Sequence, residues 1–436
     1  MEPVKVGLLG LGTVGCGTVN VLTRNLGEIT RRAGRGIEIL AAAARDSQRN
    51  RPCDTRNIAL TADPFEVVND PCIEIIVELI GGVEPARELV LTAIANGKHV
   101  VTANKALIAL HGNEIFAHAQ VRGVMVAFEA AVAGGIPIIK AIREGLAGNT
   151  IHWLAGVING TGNFILTEMR EKCRDFSGAL AQAQALGYAE VDPRFDVEGV
   201  DAAHKLTIMA SIAFGIPLQF DKVYTEGITR ITAEDIIYAG DLGYRIRHLG
   251  IARRTSRGIE LRVHPTLIPH RRLIANVDGV MNAVLVMGDA VGPTLYYGPG
   301  AGAEPAASAV VADLVDVVRA LTADPENRVP HLAFQPDALS DIPVLPMEAV
   351  ETACYLHLRA EDRPGVLADV TRIFGNLNIS IEAILQKEPG AGESDVPIIL
   401  LTHKVVEQNM NQAIAQIESL GAVTTEVKRI RLETLK

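Results

Sequence analysis

The sequence lacks paired cysteines, long apolar runs and blocks of like charge. Its five cysteines are odd in number and form no C-x-x-C motif, so we expect reduced thiols rather than a disulfide framework or a zinc site. No apolar stretch reaches the roughly 18 residues of a membrane-spanning helix. The 41 basic and 51 acidic residues give a net charge of −10 without runs of one sign, which argues against nucleic acid or a membrane as a partner.

The composition is that of a folded chain of several domains, with 436 residues of which 48% are hydrophobic and 21% are charged. The apolar run at residues 4–22 has no basic leader and no small-residue cleavage site. We therefore expect a cytoplasmic protein.

The first part of the chain alternates between strand and helix patterns. Strand-like runs at residues 4–10, 37–44, 73–79, 99–102 and 124–128 are separated by helical stretches such as 13–25 and 85–96. This alternation predicts an α/β Rossmann-type domain with a doubly wound parallel sheet, which we place at residues 1–135.

The first strand runs into a G-x-G-x-x-G turn formed by Gly10, Gly12 and Gly15, with Thr13 and Val14 between the last two glycines. A tight turn at the start of a helix lets a pyrophosphate approach the backbone and the free N–H groups of the helix. The motif therefore predicts a dinucleotide site, and an ordinary glycine-rich turn is the alternative.

The end of the second predicted strand bears on the choice of cofactor. Arg45 follows this strand and can pair with a 2′-phosphate, whereas Asp46 keeps NAD possible. We expect NADP to be preferred over NAD; the alternative is that Arg45 is a solvated surface residue.

The remaining chain divides into three parts. Residues 136–321 mix helices, as at 176–186 and 200–214, with strands, and predict an α+β substrate and dimerisation domain whose last part returns to the cofactor domain. Residues 322–350 have the composition of a linker. Residues 351–431 show a β-α-β-β-α-β pattern, which predicts a ferredoxin-like domain.

An acidic segment that closes on a lysine is the strongest catalytic candidate. Its carboxylates are Glu190, Asp192, Asp196, Glu198 and Asp201, and the lysine is Lys205. Asp201 and Lys205 are four residues apart on a predicted helix, and Lys105 follows a predicted strand at the edge where open α/β sheets bind ligands. A lysine can serve as acid or base in hydride transfer. The alternatives are a surface ion pair and divalent-metal chelation.

These motifs resemble those of homoserine dehydrogenase along essentially the whole chain. The resemblance lies in the segment 183–205 and in GLLGLGTVG, VTANKAL, EAAVAGGIPII and GVINGTGNFIL. It implies reversible reduction of L-aspartate 4-semialdehyde to L-homoserine with NAD(P)H, a step toward threonine, methionine and isoleucine. By resemblance Lys205 donates the proton, Lys105 lies beside nicotinamide and substrate, Glu190 binds substrate, and Asp201 orients the substrate or Lys205.

The resemblance also implies a monovalent cation, sodium in particular, in the loop after the last Rossmann strand. Its ligands by position are Glu129, Val132, Gly134 and Ile136, and a simple hinge is the alternative. Gly302 would return to contact the cofactor by the same resemblance, although a plain turn between domains explains it as well.

The C-terminal domain resembles an ACT domain through DRPGVL at residues 362–367 and NISI at 378–381. The resemblance implies a homodimer or higher homo-oligomer in which Asp362, Gly365 and Ser380 lie near an amino-acid effector, with threonine as the natural candidate. A domain used only for assembly is the alternative.

Two other functions compete with this interpretation. An aspartate-semialdehyde dehydrogenase would need a cysteine nucleophile, and Cys173 sits in a charged helix end without an obvious base. A non-catalytic amino-acid sensor would not require the whole set of Lys105, Glu190, Asp201 and Lys205.

Overall fold

A computed structural model describes residues 2–46, 49–321, 328–386 and 395–435. The chain forms two compact units, each assembled from separate stretches of sequence. The first unit comprises Met1–Gly160, Asp201–Val223 and Val280–Ile342, and the second comprises Thr161–Val200, Tyr224–Gly279 and Pro343–Lys436. The domain boundaries drawn above stay a prediction, and residues 322–327 of the predicted linker lie outside the described residues.

The strands are β1 (Val4–Leu9), β2 (Ile37–Ala43), β3 (Ala59–Thr61), β4 (Ile75–Glu78), β5 (His99–Thr102), β6 (Val126–Ala127), β7 (Ile151–Val157), β8 (Tyr224–Thr225), β9 (Tyr244–Thr255), β10 (Gly258–Pro269), β11 (Met281–Gly288), β12 (Gly292–Pro299), β13 (Glu351–Glu361), β14 (Ile381–Gln386), β15 (Asp395–Thr402), β16 (Val405–Val406) and β17 (Lys428–Leu432). The helices are α1 (Thr13–Arg24), α2 (Leu26–Ala33), α3 (Pro64–Asn69), α4 (Ala86–Ala95), α5 (Lys105–Arg122), α6 (Ile138–Lys140), α7 (Gly160–Lys172), α8 (Phe176–Ala185), α9 (Arg194–Val197), α10 (Val200–Phe214), α11 (Ala233–Asp241), α12 (Ala303–Ala320), α13 (Val366–Asn376) and α14 (Glu407–Glu418).

The first unit contains a parallel sheet with the strand order β3-β2-β1-β4-β5-β6. The predicted doubly wound Rossmann sheet is confirmed, and its order reverses between β1 and β4. β3 was missed because it has only three residues, none of them buried, and so carries almost no hydrophobic pattern.

Helix α12 joins the core of this sheet although it begins at Ala303, far along the chain from β6, which ends at Ala127. Its buried face, which includes Val310, Leu314 and Val317, packs in the same hydrophobic cluster as Val6 and Leu8 of β1. A Cβ atom at Gly17 of α1 would lie 2.4 Å from the carbonyl oxygen of Ala303, so the start of α12 lies directly against α1. The late helix α12 is therefore part of the same core as the first strands of the chain.

Helix α10 and the antiparallel strands β7, β11 and β12 complete the framework of the first unit. β11 pairs with both β7 and β12. Every residue of α10 from Asp201 to Phe214 is buried. A helix that is buried on all sides places its polar side chains, Asp201 and Lys205 among them, in the interior.

The second unit contains the long antiparallel pair β9 and β10 and a four-stranded antiparallel sheet of order β17-β13-β15-β14. That order, with α13 and α14, confirms the predicted ferredoxin-like domain. The last strand, β17, also pairs in parallel with β10 through Thr266 and Leu267. β17 is thus shared between the ferredoxin-like sheet and β10.

Two absences expected from the sequence can be compared with the structure. No helix within the described ranges is long and apolar enough to cross a membrane. None of the five cysteines is disulfide-bonded in the structure, and their reduced state stays a prediction.

Candidate active site

Two predicted lysines meet at one buried carboxylate in the first unit. The Oδ1 atom of Asp201 lies 3.0 Å from Nζ of Lys105, and its Oδ2 atom lies 2.7 Å from Nζ of Lys205. Asp201 and Lys205 occupy successive turns of α10, while Lys105 is the first residue of α5. The structure therefore brings together three of the residues predicted from the sequence.

Two groups that the sequence analysis missed complete this arrangement. Asn159 donates from Nδ2 to Oδ2 of Asp201 over 2.8 Å, and Lys205 donates from Nζ to the carbonyl oxygen of Ile158 over 2.7 Å. Both residues directly follow the buried strand β7. A polar residue at the end of an apolar strand was the available signal, because such positions often carry functional groups.

The electrostatics of this site keep Asp201 ionised. Burial alone would raise the pKa of its carboxyl group, but the charges of Lys205 and Lys105 and the hydrogen bonds from Lys205 and Asn159 hold that pKa far below its usual range. Burial lowers the pKa of the adjacent His204 to about 4, and its ring packs against Phe220 with 4.4 Å between centroids. Near neutral pH the carboxyl group of Asp201 is therefore ionised and the imidazole of His204 is neutral.

The glycine-rich turn has the geometry that a dinucleotide requires. Gly10 has a φ of +101°, its N–H donates to the carbonyl of Ala43 over 3.0 Å, and a Cβ atom there would lie 2.8 Å from the carbonyl oxygen of Leu79. Gly15 allows α1 to pack against the turn, since a Cβ atom would lie 2.2 Å from the oxygen of Gly10. Gly12 caps α1 and faces open space, with Thr13 and Val14 following in the first turn of the helix.

The other predicted cofactor contacts lie at the edges of the first unit. Arg45 is exposed directly after β2, and in the same loop the guanidinium of Arg51 donates to the carbonyls of Asp46 and Arg49. Gly302 is the N-cap of α12 and therefore adjoins α1 through its neighbour Ala303. Contact of Arg45 and Gly302 with a cofactor stays a prediction.

The predicted cation ligands lie in a buried turn after β6. Glu129, Val132 and Ile136 are each at most 2% exposed, and Gly134 has a φ of +44°. The two carboxylate oxygens of Glu129 each accept a backbone N–H over 2.9 Å, from Ile139 and Lys140.

A second acid, Asp313 of α12, accepts the backbone N–H of Glu129 over 2.8 Å. Burial, with the Glu129 charge next in importance, raises the pKa of Asp313 to about 7. Two buried acids in contact supply the kind of oxygen ligand that a hard cation prefers, and cation binding by this turn stays a prediction. Within the described ranges no group of three or more His, Cys, Asp or Glu side chains has the arrangement of a metal site.

The remaining predicted residues belong to the second unit. Glu190 is exposed between α8 and α9, and its carbonyl accepts a hydrogen bond from Gln184 over 3.0 Å. In the ferredoxin-like domain Asp362 is exposed, Gly365 caps α13 with a φ of +97°, and the carbonyl of Ser380 accepts the N–H of His403. Their binding roles stay predictions.

Known proteins match this chain over its whole length. The model of the homoserine dehydrogenase family matches residues 137–315, that of the homoserine dehydrogenase NAD-binding domain matches residues 10–129, and that of the ACT domain matches residues 355–422. A homoserine dehydrogenase of Pseudomonas aeruginosa is 69% identical over 435 residues, which is 100% of both chains.

Solved structures agree with these matches. A homoserine dehydrogenase from Thiobacillus denitrificans is 67% identical, with a TM-score of 0.95 over 100% of this chain and 99% of that chain. A homoserine dehydrogenase from S. aureus is 32% identical, with a TM-score of 0.77 over 99% of each chain. The parallel sheet with its glycine-rich turn, the paired lysines on Asp201 and these full-length similarities lead to one conclusion: the chain belongs to the homoserine dehydrogenase family of NAD(P)-dependent oxidoreductases.

Proposed function

We propose that the chain reduces L-aspartate 4-semialdehyde reversibly to L-homoserine, with Lys205 as the proton donor and Asp201 as the group that orients both lysines. The observation that supports these roles is the buried Asp201 carboxylate, which holds Lys105 at 3.0 Å and Lys205 at 2.7 Å. Family membership supports the reaction, and the geometry supports the separate roles of Asp201 and Lys205.

The reduced nicotinamide supplies a hydride when it is bound. As the carbonyl carbon of the substrate accepts the hydride, negative charge develops on the carbonyl oxygen. The ammonium of Lys205 stabilises this alkoxide and then donates a proton to it, and in the reverse direction the neutral amine accepts the hydroxyl proton. Lys105 adds a second positive charge beside the Asp201 carboxylate. Glu190 binds the ammonium group of the substrate.

Lys205→Ala tests this assignment, with Lys222→Ala as a matched control. Lys222 is an exposed lysine of the same unit whose Nζ bonds only to Gln219 among the contacts described for it. We expect NADPH oxidation with L-aspartate 4-semialdehyde to fall at least about 100-fold in Lys205→Ala and to stay near normal in the control. Near-normal turnover in Lys205→Ala, with cofactor binding retained, would contradict the proposed role.

We further propose NADP as the preferred cofactor, bound through the turn at residues 10–15 with Arg45 on the 2′-phosphate. An exposed arginine directly after β2 supports this preference, because a guanidinium can pair with that phosphate. The ratio of kcat/KM for NADPH to that for NADH measures it. A ratio below one would overturn the proposal.

The turn of Glu129, Val132, Gly134 and Ile136 is proposed to bind Na⁺. Support comes from the buried acids Glu129 and Asp313, whose negative charge a cation would neutralise. A melting temperature that rises with NaCl but not with choline chloride at equal ionic strength would agree with this site. Identical responses to the two salts would contradict it.

For the C-terminal domain we propose threonine as the effector, bound near Asp362, Gly365 and Ser380. We also propose that the protein is a cytoplasmic homodimer that serves threonine, methionine and isoleucine synthesis. The ACT match and the exposed loop before α13 support an amino-acid site there. Inhibition by millimolar threonine that is weaker in Asp362→Ala would agree with this effector site. Light scattering would measure the mass of the protein and so test the homodimer. Activity unchanged by threonine would leave assembly as the role of the domain.

A further inference from the structure

Glu78 is a fully buried carboxylate at the end of β4 to which the sequence analysis gave no role. In the sheet register it lies beside Leu9 of β1 and Thr102 of β5. The strand order reverses between β1 and β4, and ligands of open α/β sheets bind at such a reversal, outside the carboxyl ends of the strands. Glu78 thus ends one of the two strands that flank the expected cofactor crevice.

The Glu78 carboxylate fixes the loop that follows it. Its Oε1 atom accepts the backbone N–H groups of Ile80 and Gly81 over 2.8 and 3.1 Å. Its Oε2 atom accepts the hydroxyl of Thr102 over 2.6 Å. Burying a charged group is costly unless hydrogen bonds compensate for the lost water, and here three donors converge on one carboxylate.

The hydrogen bonds continue from Thr102 to Lys105. Thr102 Oγ1 accepts the N–H of Asn104 over 3.0 Å, and Asn104 donates from Nδ2 to the carbonyl of Gly82 over 2.6 Å. Asn104 Oδ1 accepts the N–H of Leu107 over 3.1 Å and so caps α5, whose first residue is Lys105. The bonds form a closed ring that joins residues 80–82 to the start of the helix bearing Lys105.

We propose that Glu78 is a positioning residue for hydride transfer: through this ring it holds the 80–82 loop against the cofactor crevice and sets the position of Lys105 on Asp201. The proposal rests on the function proposed above for Lys105. Glu78 itself touches neither the reacting atoms nor Asp201 among its described contacts; it acts through Thr102 and Asn104. A small displacement of reacting groups costs about 100-fold in rate, which sets the scale of the expected effect.

Glu78→Gln keeps the shape of the side chain and removes its charge, and Glu74→Gln is the matched control. Glu74 lies just before the opposite end of β4 and accepts the N–H of Lys5 over 3.3 Å. For Glu78→Gln we expect kcat to fall about 10- to 100-fold. We also expect a larger deuterium isotope effect with NADPH deuterated at the transferred position, because misplacement makes hydride transfer rate-limiting. Glu74→Gln should match the unchanged protein in both measurements.

A second pair of variants tests the ring where the risk of misfolding is lower. Thr102→Val removes the hydroxyl but keeps the branched shape, whereas Thr102→Ser keeps the hydroxyl. We expect Thr102→Val to lower kcat about 10-fold with a raised isotope effect, and Thr102→Ser to restore both.

If Glu78 and Thr102 only stabilised the fold, their substitution would reduce the fraction of active sites and leave the isotope effect unchanged. That result in both Glu78→Gln and Thr102→Val would overturn the proposal. Failure of the proposed function would be distinct, because the unchanged protein would then not oxidise NADPH with L-aspartate 4-semialdehyde.

Discussion

Replacing Asp201 by asparagine removes one charge from the centre of the site with almost no change of shape. Asp201 is 3% exposed and lies 2.7 and 3.0 Å from two ammonium groups. At an effective dielectric constant of about 20, unit charges 3 Å apart attract each other by about 5 kcal/mol. Desolvation offsets part of this attraction, and removing one partner of a buried pair typically costs about 3–5 kcal/mol.

We therefore expect Asp201→Asn to lower the free energy of unfolding by about 3 kcal/mol or more. The two lysines then repel each other without a carboxylate between them, so the alkaline fall in activity moves to lower pH and kcat drops about 100-fold or more. Urea denaturation and a pH profile of kcat measure these effects, with the exposed Asp221→Asn as control. Stability within about 0.5 kcal/mol of the unchanged protein and an unshifted pH profile would refute the ion-pair argument.

Three further predictions concern charge elsewhere in the protein. Asp313→Asn should stabilise the protein at pH 8 in sodium-free buffer and not at pH 4. The folded-state pKa of Asp313 is raised from 3.8 to about 7, so stability is lost as the pH rises through this interval and the loss is complete above pH 7; melting curves at the two pH values measure the difference. Burial lowers the pKa values of His99, His204 and His331 to about 4, so their contribution to stability is complete above pH 6.5 and is lost as the pH falls toward 4. Urea denaturation at several pH values between 7 and 4 measures this loss, and a free energy of unfolding that does not change with pH would contradict the argument. Arg45→Ala should raise KM for NADPH about 10-fold and leave KM for NADH unchanged, whereas equal changes would place the 2′-phosphate elsewhere.

Most of the fold could be predicted from the sequence because its elements have strong periodic patterns. β5 (His99–Thr102) and α10 (Val200–Phe214) have the predicted limits, and the Rossmann and ferredoxin-like arrangements are confirmed. The pairing of β17 with β10 was not predicted. Such a pairing between Leu432 and Leu267 joins segments 165 positions apart, and local periodicity carries no information about it.

The sequence predicted the charged residues of the candidate site but not its neutral residues. Lys105, Asp201 and Lys205 were identified because a dense acidic segment and a lysine after a strand are unusual patterns, and the structure brings the three together. Asn159 and the carbonyl of Ile158 follow an ordinary apolar strand, and only the folded chain reveals their partners. Full-length similarity to homoserine dehydrogenases sets aside both alternatives, a non-catalytic sensor and an aspartate-semialdehyde dehydrogenase.

Two adjacent residues of α10, His204 and Lys205, are both buried but differ in the charge they can carry. His204 and Lys205 are both buried, but burial lowers the pKa of the imidazole to about 4, so His204 is neutral near pH 7 and has no extra proton to give. Lys205 lies one residue further along the helix and bonds Asp201 over 2.7 Å, where the carboxylate offsets its charge. This difference supports the proposal that Lys205, rather than His204, is the cationic donor for a developing alkoxide. The same carboxylate also lies 3.0 Å from Nζ of Lys105, so a single buried acid contacts both lysines of the site.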